Sequence, residues 1–144
     1  MKKLFYLFIT FTVLSSCSPY QQALKKPDIA EKFRVGEEMY NKGKFAKANK
    51  LFAQIVPNYR GKPQAEKLMF LYSKSFYEMK DYYLASYQFE RFASAYPQSE
   101  KVEEAAFLSG KSAYMLSPVY SKDQTETRDA IEKLQGFINL YPES

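Results

Sequence analysis

Histidine is absent from this 144-residue chain. That removes the usual general base, every Ser-His-Asp or Cys-His arrangement, and every imidazole ligand for a metal. Cysteine occurs once, at Cys17, so the thiol has no partner within the chain. No stretch alternates apolar and polar residues with period two, which leaves no strand signal. Nor is charge of one sign strongly in excess: the formal net charge is +5, and +3 without Lys2 and Lys3, which belong to a segment expected to be removed. A nucleic-acid footprint needs clustered Lys and Arg rather than a mild surplus. Paired carboxylates do occur, as Glu37-Glu38 and Glu103-Glu104. Neighbouring glutamates on a helix point about 100° apart and read as solvated faces, so sugar cleavage by such a pair is disfavoured. The expectation is a protein that is not an enzyme, with no metal and no cofactor.

What is present begins with an address. Met1-Lys2-Lys3 is basic, and Leu4 to Leu14 is an apolar run of signal-peptide length, too short to span a bilayer. Leu14-Ser15-Ser16-Cys17 follows and resembles the bacterial lipobox, in which the cysteine is lipidated and becomes the new N-terminus. Residues 1–16 are therefore expected to be a lipoprotein signal peptide, and Cys17 the site of a covalent lipid. Ser18, where an Asp would favour retention in the inner membrane of many Gram-negative systems, points by resemblance to the outer membrane. The absence of acidic residues from 18–22 favours its periplasmic face. Residues 17–28, with Pro19, Pro27 and Lys25-Lys26, show no helical periodicity and read as a lipidated N-terminus and tether. The two lysines are read as solvated, contact with anionic head groups being the less favoured role.

From residue 29 to 144 the pattern is helical and repeats. Offsetting the chain by 37 residues superposes Phe33/Tyr40 on Phe70/Tyr77 and those on Phe107/Tyr114. Gly36, Ser73 and Gly110 share one phase, and Ala48/Phe52 and Ala85/Phe89 share another. Their third counterpart, Ala130/Leu134, comes 45 residues after the second, as though eight residues had been inserted. Helices are expected over Ile29 to Lys42, Phe45 to Val56, Gln64 to Met79, Tyr82 to Ala95, Glu100 to Leu116 and Glu126 to Leu140. Repeats of such length built from two helices form all-α solenoids that present a row of side chains to a partner. Ala48, Phe52, Ala85, Phe89, Phe92, Ala130, Leu134 and Phe137 are the expected core.

These residues resemble tetratricopeptide repeats. Gly36, Ser73 and Gly110 match the small residue of helix A, the Ala/aromatic pairs match helix B, and Pro97 and Pro142 match the closing proline. The helix-A tryptophan of that motif is replaced by Lys32, Met69 and Ala106. The lipobox, tether and segments such as Phe92-Ala93-Ser94-Ala95-Tyr96-Pro97 and Gly136-Phe137-Ile138-Asn139-Leu140-Tyr141-Pro142 further resemble the BamD family of β-barrel assembly lipoproteins. The resemblance extends to the long loop of the third unit before Arg128-Asp129-Ala130. Three helix-turn-helix units are read here, whereas that family generally has five, so either the chain is the N-terminal part of a longer array or its final helix is left uncapped.

By register, helix A of each unit lines a concave groove with Phe33, Glu37, Tyr40 and Asn41, then Phe70, Lys74, Tyr77 and Glu78, then Phe107, Lys111, Tyr114 and Met115. Tyrosine offers contact area at low rotamer cost together with a hydroxyl, which suits an extended peptide. The alternative for the three phenylalanines is packing between helices. The resemblance implies two kinds of partner: a BamA-like β-barrel assembly subunit with periplasmic domains, and unfolded outer-membrane protein clients. A different periplasmic adaptor serving peptidoglycan or division machinery is the rival reading.

Overall fold

The computed structural model describes residues 18–59 and 61–144; the expected signal peptide, Cys17 and Arg60 lie outside them. Seven α-helices follow in order: α1 Pro19–Lys25, α2 Ile29–Asn41, α3 Phe45–Ile55, α4 Ala65–Glu78, α5 Tyr82–Ala95, α6 Val102–Met115 and α7 Thr125–Leu140. There is no strand among the described residues. Each helix from α2 onward packs on the next in sequence, and α2 also touches α4. The pairs α2/α3, α4/α5 and α6/α7 therefore form the three expected helix-turn-helix units of a tetratricopeptide-like solenoid.

The boundaries have local causes. Asp28 and Asp81 sit just before α2 and α5, and their carboxylates accept the backbone N–H of Glu31 at 3.1 Å and of Leu84 at 3.3 Å. At the other end, α2 and α4 close with the same device 37 residues apart. Gly43 N–H donates to Tyr40 C=O and Lys44 N–H to Met39 C=O, both at 2.9 Å, and Lys80 and Asp81 repeat these bonds onto Tyr77 and Phe76 at 2.9 Å. The residue at the turn is left-handed in both cases, with φ +68° at Gly43 and +61° at Lys80. Glycine adopts that conformation freely and lysine does not. Lys80→Gly is accordingly expected to raise stability by about 0.5–1 kcal/mol, the removed strain outweighing the added chain entropy; urea denaturation showing a loss instead would contradict this.

Aromatic pairs carry the repeat into the core. Phe70 meets Phe92 at 5.4 Å between centroids and Phe107 meets Phe137 at 5.5 Å. Phe92 meets Tyr96 at 5.2 Å, and Phe137 meets Tyr141 at 5.3 Å. Ala48, Phe52, Ala85, Phe89, Phe92 and Ala130 are buried as expected. Leu134 and Phe137 are only half-buried, because among the described residues no helix covers the far side of α7, where Ile131, Ile138 and Leu140 are exposed.

The expected tether is the part the structure revises. Residues 19–25 form a helix, capped by Ser18, whose hydroxyl accepts Gln21 N–H, and started by Pro19. Tyr20 and Ala23 are buried in the first core cluster. Lys32, in the place of the motif's tryptophan, is itself buried, and its ammonium donates to Leu24 C=O at 3.2 Å and to the Gln54 side chain. A buried ammonium needs such partners, and these tie α1 to α2 and α3. The segment is a docked helix followed by a short link at 26–28.

Candidate partner-binding surface

The side chains that helix A directs away from helix B are arranged by α2, α4 and α6. Glu37 on α2 pairs with Lys67 on α4, and Lys74 on α4 pairs with Glu104 on α6 at 2.9 Å. The two pairs occupy the same repeat positions with the signs exchanged, each joining residues 30 apart. They form a rung between successive units. Lys101 adds a second hydrogen bond to Glu104 at 2.9 Å. Partial burial pushes the Glu104 carboxyl up, but the hydrogen bonds and charges of Lys74 and Lys101 outweigh it and hold the group below the usual carboxylate range.

A carboxylate whose folded pKa is depressed contributes stability above its unfolded pKa, and that contribution is lost as pH falls through the folded value. Glu104→Gln is therefore expected to cost at most about 1 kcal/mol at pH 7, as for other solvent-accessible pairs. The difference from the parent should shrink as pH falls below the ordinary glutamate value of about 4.3 and vanish once pH lies below the folded value. Paired thermal melts at pH 7 and pH 3 check it; an equal deficit at both would contradict it.

The twelve side chains expected to line the groove divide by burial. Phe33 and Phe70 are buried core and are corrected out of the groove. Phe33 packs on Phe52 and Tyr59, and Phe70 on Phe89 and Phe92. Tyr40 and Tyr77 are half-buried, each edge-on to the first aromatic of its helix B, Phe45 at 5.2 Å and Tyr82 at 5.7 Å. Burial, reinforced by the charges of Glu78 and Glu104, pushes the Tyr40 hydroxyl up to about 12. Lys111 lies over the rings of Tyr77 and Phe107, at 5.9 and 5.8 Å from their centroids. Asn41, Glu78, Lys111 and Met115 are exposed. Phe107 is 41% and Tyr114 62% exposed.

Among the twelve, the reachable aromatic surface thus lies at α6; Val119 and Tyr120 of the following loop are also exposed. The sequence reading named neither residue, since that loop carries no repeat phase. It also left out Lys67 and Lys101, whose roles depend on pairing across units. A cleft of about 970 Å³ opens elsewhere, between the Val56–Tyr59 turn and α5, with Met69, Tyr87 and Arg91 among its walls. None of the twelve residues lines it.

At least one carboxylate of each pair is engaged. Glu38 bonds Lys42 at 2.5 Å and Glu104 bonds two lysines. The hydrogen bond from Lys42 holds Glu38 below the usual range. A glycosidase acid needs its carboxyl raised, the opposite shift. No group of metal-ligating side chains gathers among the described residues.

Residues 26–144 match the model of the YfiO family, described as outer membrane lipoproteins. The chain belongs to that family. Among curated relatives it is 30% identical over 127 residues to the putative outer membrane protein assembly factor BamD of Aquifex aeolicus, a match covering 86% of this chain and 41% of the relative. It is 26% identical over 97 residues to outer membrane protein assembly factor BamD of Helicobacter pylori, covering 67% of this chain and 44% of the relative. The chain thus spans less than half the length of either. No helix among the described residues is long and apolar enough to cross a membrane.

Proposed function

We propose that this chain is a non-catalytic lipoprotein scaffold for outer membrane protein assembly, anchored through a covalent lipid on Cys17 at the periplasmic face of the outer membrane. The observation that carries the proposal is the family match over residues 26–144, the same stretch that forms the repeat stack. Helix packing and the rungs between units join α2, α4 and α6 into one platform that stands formed before a polypeptide meets it. The reachable part of that platform, Phe107, Lys111, Tyr114 and Met115 with Tyr120, combines aromatic area with a cation. That composition suits unfolded outer-membrane protein segments and the periplasmic domains of a β-barrel-forming assembly subunit.

Purification of the lipidated protein from native membranes tests the proposal. Recovery of a β-barrel assembly subunit is the expected result. Recovery of peptidoglycan synthases or division proteins in its place would establish the adaptor reading instead, and glycan cleavage by the purified chain would overturn the non-catalytic one.

A further inference from the structure

Charge is mild over the whole chain, yet the fold concentrates it. From Met39 to Ala65 the sequence has no Asp or Glu and carries Lys42, Lys44, Lys47, Lys50, Arg60 and Lys62; α1 likewise has no acid and ends at Lys25-Lys26. Helix α1 lies along α3 and runs the same way. The Lys47 ammonium stands 5.1 Å from the centre of the Tyr20 ring near the start of α1, while Lys32 bridges Leu24, near its end, to Gln54. Lys47, Lys50 and Gln54 stand at spacings of three and four along α3, so they share the stripe beside α1, and Lys44 lies one turn earlier.

Lys25, Lys26, Lys44, Lys47 and Lys50 are all exposed, and none forms an ion pair among the described residues. The acids of the neighbouring α2 are committed elsewhere. Asp28 caps its helix, Glu31 pairs with Arg34 at 2.8 Å while feeling Lys26 weakly, and Glu38 pairs with Lys42.

We infer that this lysine face around α1 and α3 is a docking surface for an anionic phospholipid membrane. The chemistry is charge complementarity between unpaired ammonium groups and phosphate head groups. The location follows from the chain: Cys17 is the residue next in sequence to Ser18, the cap of α1, so the proposed anchor is one peptide bond from the cap of a docked helix. The inference builds on the proposed anchor at Cys17, which would hold the lysines within about one Debye length, roughly 8–10 Å, of the lipid surface. Lipid and lysines together would fix which way the repeat stack faces, where lipid alone would leave it free to rotate.

The test uses the folded body, residues 18–144, without any acyl group, since all the packing described lies within it. It is mixed with vesicles of 40% phosphatidylglycerol in phosphatidylcholine, and with vesicles of phosphatidylcholine alone. Binding to the first and not the second is expected, abolished by 0.5 M salt. Each lysine near the surface contributes about a five-fold factor to partitioning, so the triple variant Lys44→Gln, Lys47→Gln, Lys50→Gln should lose about a hundredfold. Because these side chains are exposed, its fold should stay intact, the loss of the Lys47–Tyr20 contact lowering the melting temperature only slightly.

Equal binding to both vesicle types, no binding to either, or an unchanged triple variant with intact fold would overturn the inference. Mass spectrometry of the full chain made in cells reports separately on acylation of Cys17. Failure of the anchor and failure of the lysine face are therefore distinguishable.

Discussion

Phe89→Ala is expected to lower the stability of the fold by about 3–5 kcal/mol, a large share of the roughly 5–15 kcal/mol typical of a domain. Phe89 is fully buried, and its ring meets Phe70 at 6.0 Å in an edge-on contact. Helices on both sides wall the site, since α5 packs against α4 and α6, so the cavity cannot close by a local shift. The same repeat position supplies an internal control. Phe52 is equally buried in the first unit, whereas Leu134 in the third is half-buried with one flank open. Phe52→Ala should therefore resemble Phe89→Ala, and Leu134→Ala should cost clearly less. Urea denaturation of the three variants measures this ordering; equal losses at all three would mean that α7 is as well packed as α3 and α5.

The second large effect is expected at Gly36. A Cβ placed there would stand 2.6 Å from Cε1 of Phe52, a ring already held against Phe33. Alanine in a helix is ordinarily favoured over glycine by about 1 kcal/mol, but here the ring cannot move without displacing a filled core. Gly36→Ala should be net destabilising, and Gly36→Val should cost about 1–3 kcal/mol or more. The sequence pattern treats Gly110 as equivalent, and the structure separates the two. A Cβ at Gly110 would meet Leu134 at Cδ2 (2.7 Å), Cγ (3.0 Å) and the backbone N (3.3 Å), a half-buried residue whose side-chain tip can turn away while its backbone cannot. Gly110→Ala should therefore be destabilising but less so than Gly36→Ala, since the Leu134 tip can turn away and gained helix propensity offsets part of the remaining crowding. Thermal melts showing Gly110→Ala as damaging as Gly36→Ala would contradict this account of the two helix crossings.

The helices were legible because small and aromatic residues recur at fixed phase, and six of the seven end within two residues of where the pattern puts them. Helix α1 was not, because seven residues including Pro19 bury only Tyr20 and Ala23, too few to show periodicity. Side-chain environment proved harder than helix position. Phe33, Phe70 and Phe107 are identical in the pattern, yet the first two are enclosed and the third is exposed, a difference made by which neighbours cover each unit. Lys32 occupies a tryptophan position and is buried through bonds to Leu24 and Gln54 that no local pattern announces. The Glu37–Lys67 and Lys74–Glu104 rungs were hidden by their exchanged signs, since the offset that superposes the units pairs unlike charges.

The platform formed by α2, α4 and α6 is proposed to hold other polypeptides during outer membrane protein assembly, and its most exposed aromatic is Tyr114. A photo-crosslinking amino acid at that position, activated in intact cells, tests this most directly. The account predicts adducts with an outer membrane assembly subunit or an unfolded outer-membrane protein, absent when the crosslinker replaces Ala53, which is exposed on α3. Adducts confined to peptidoglycan or division proteins, or the same products from both positions, would contradict it.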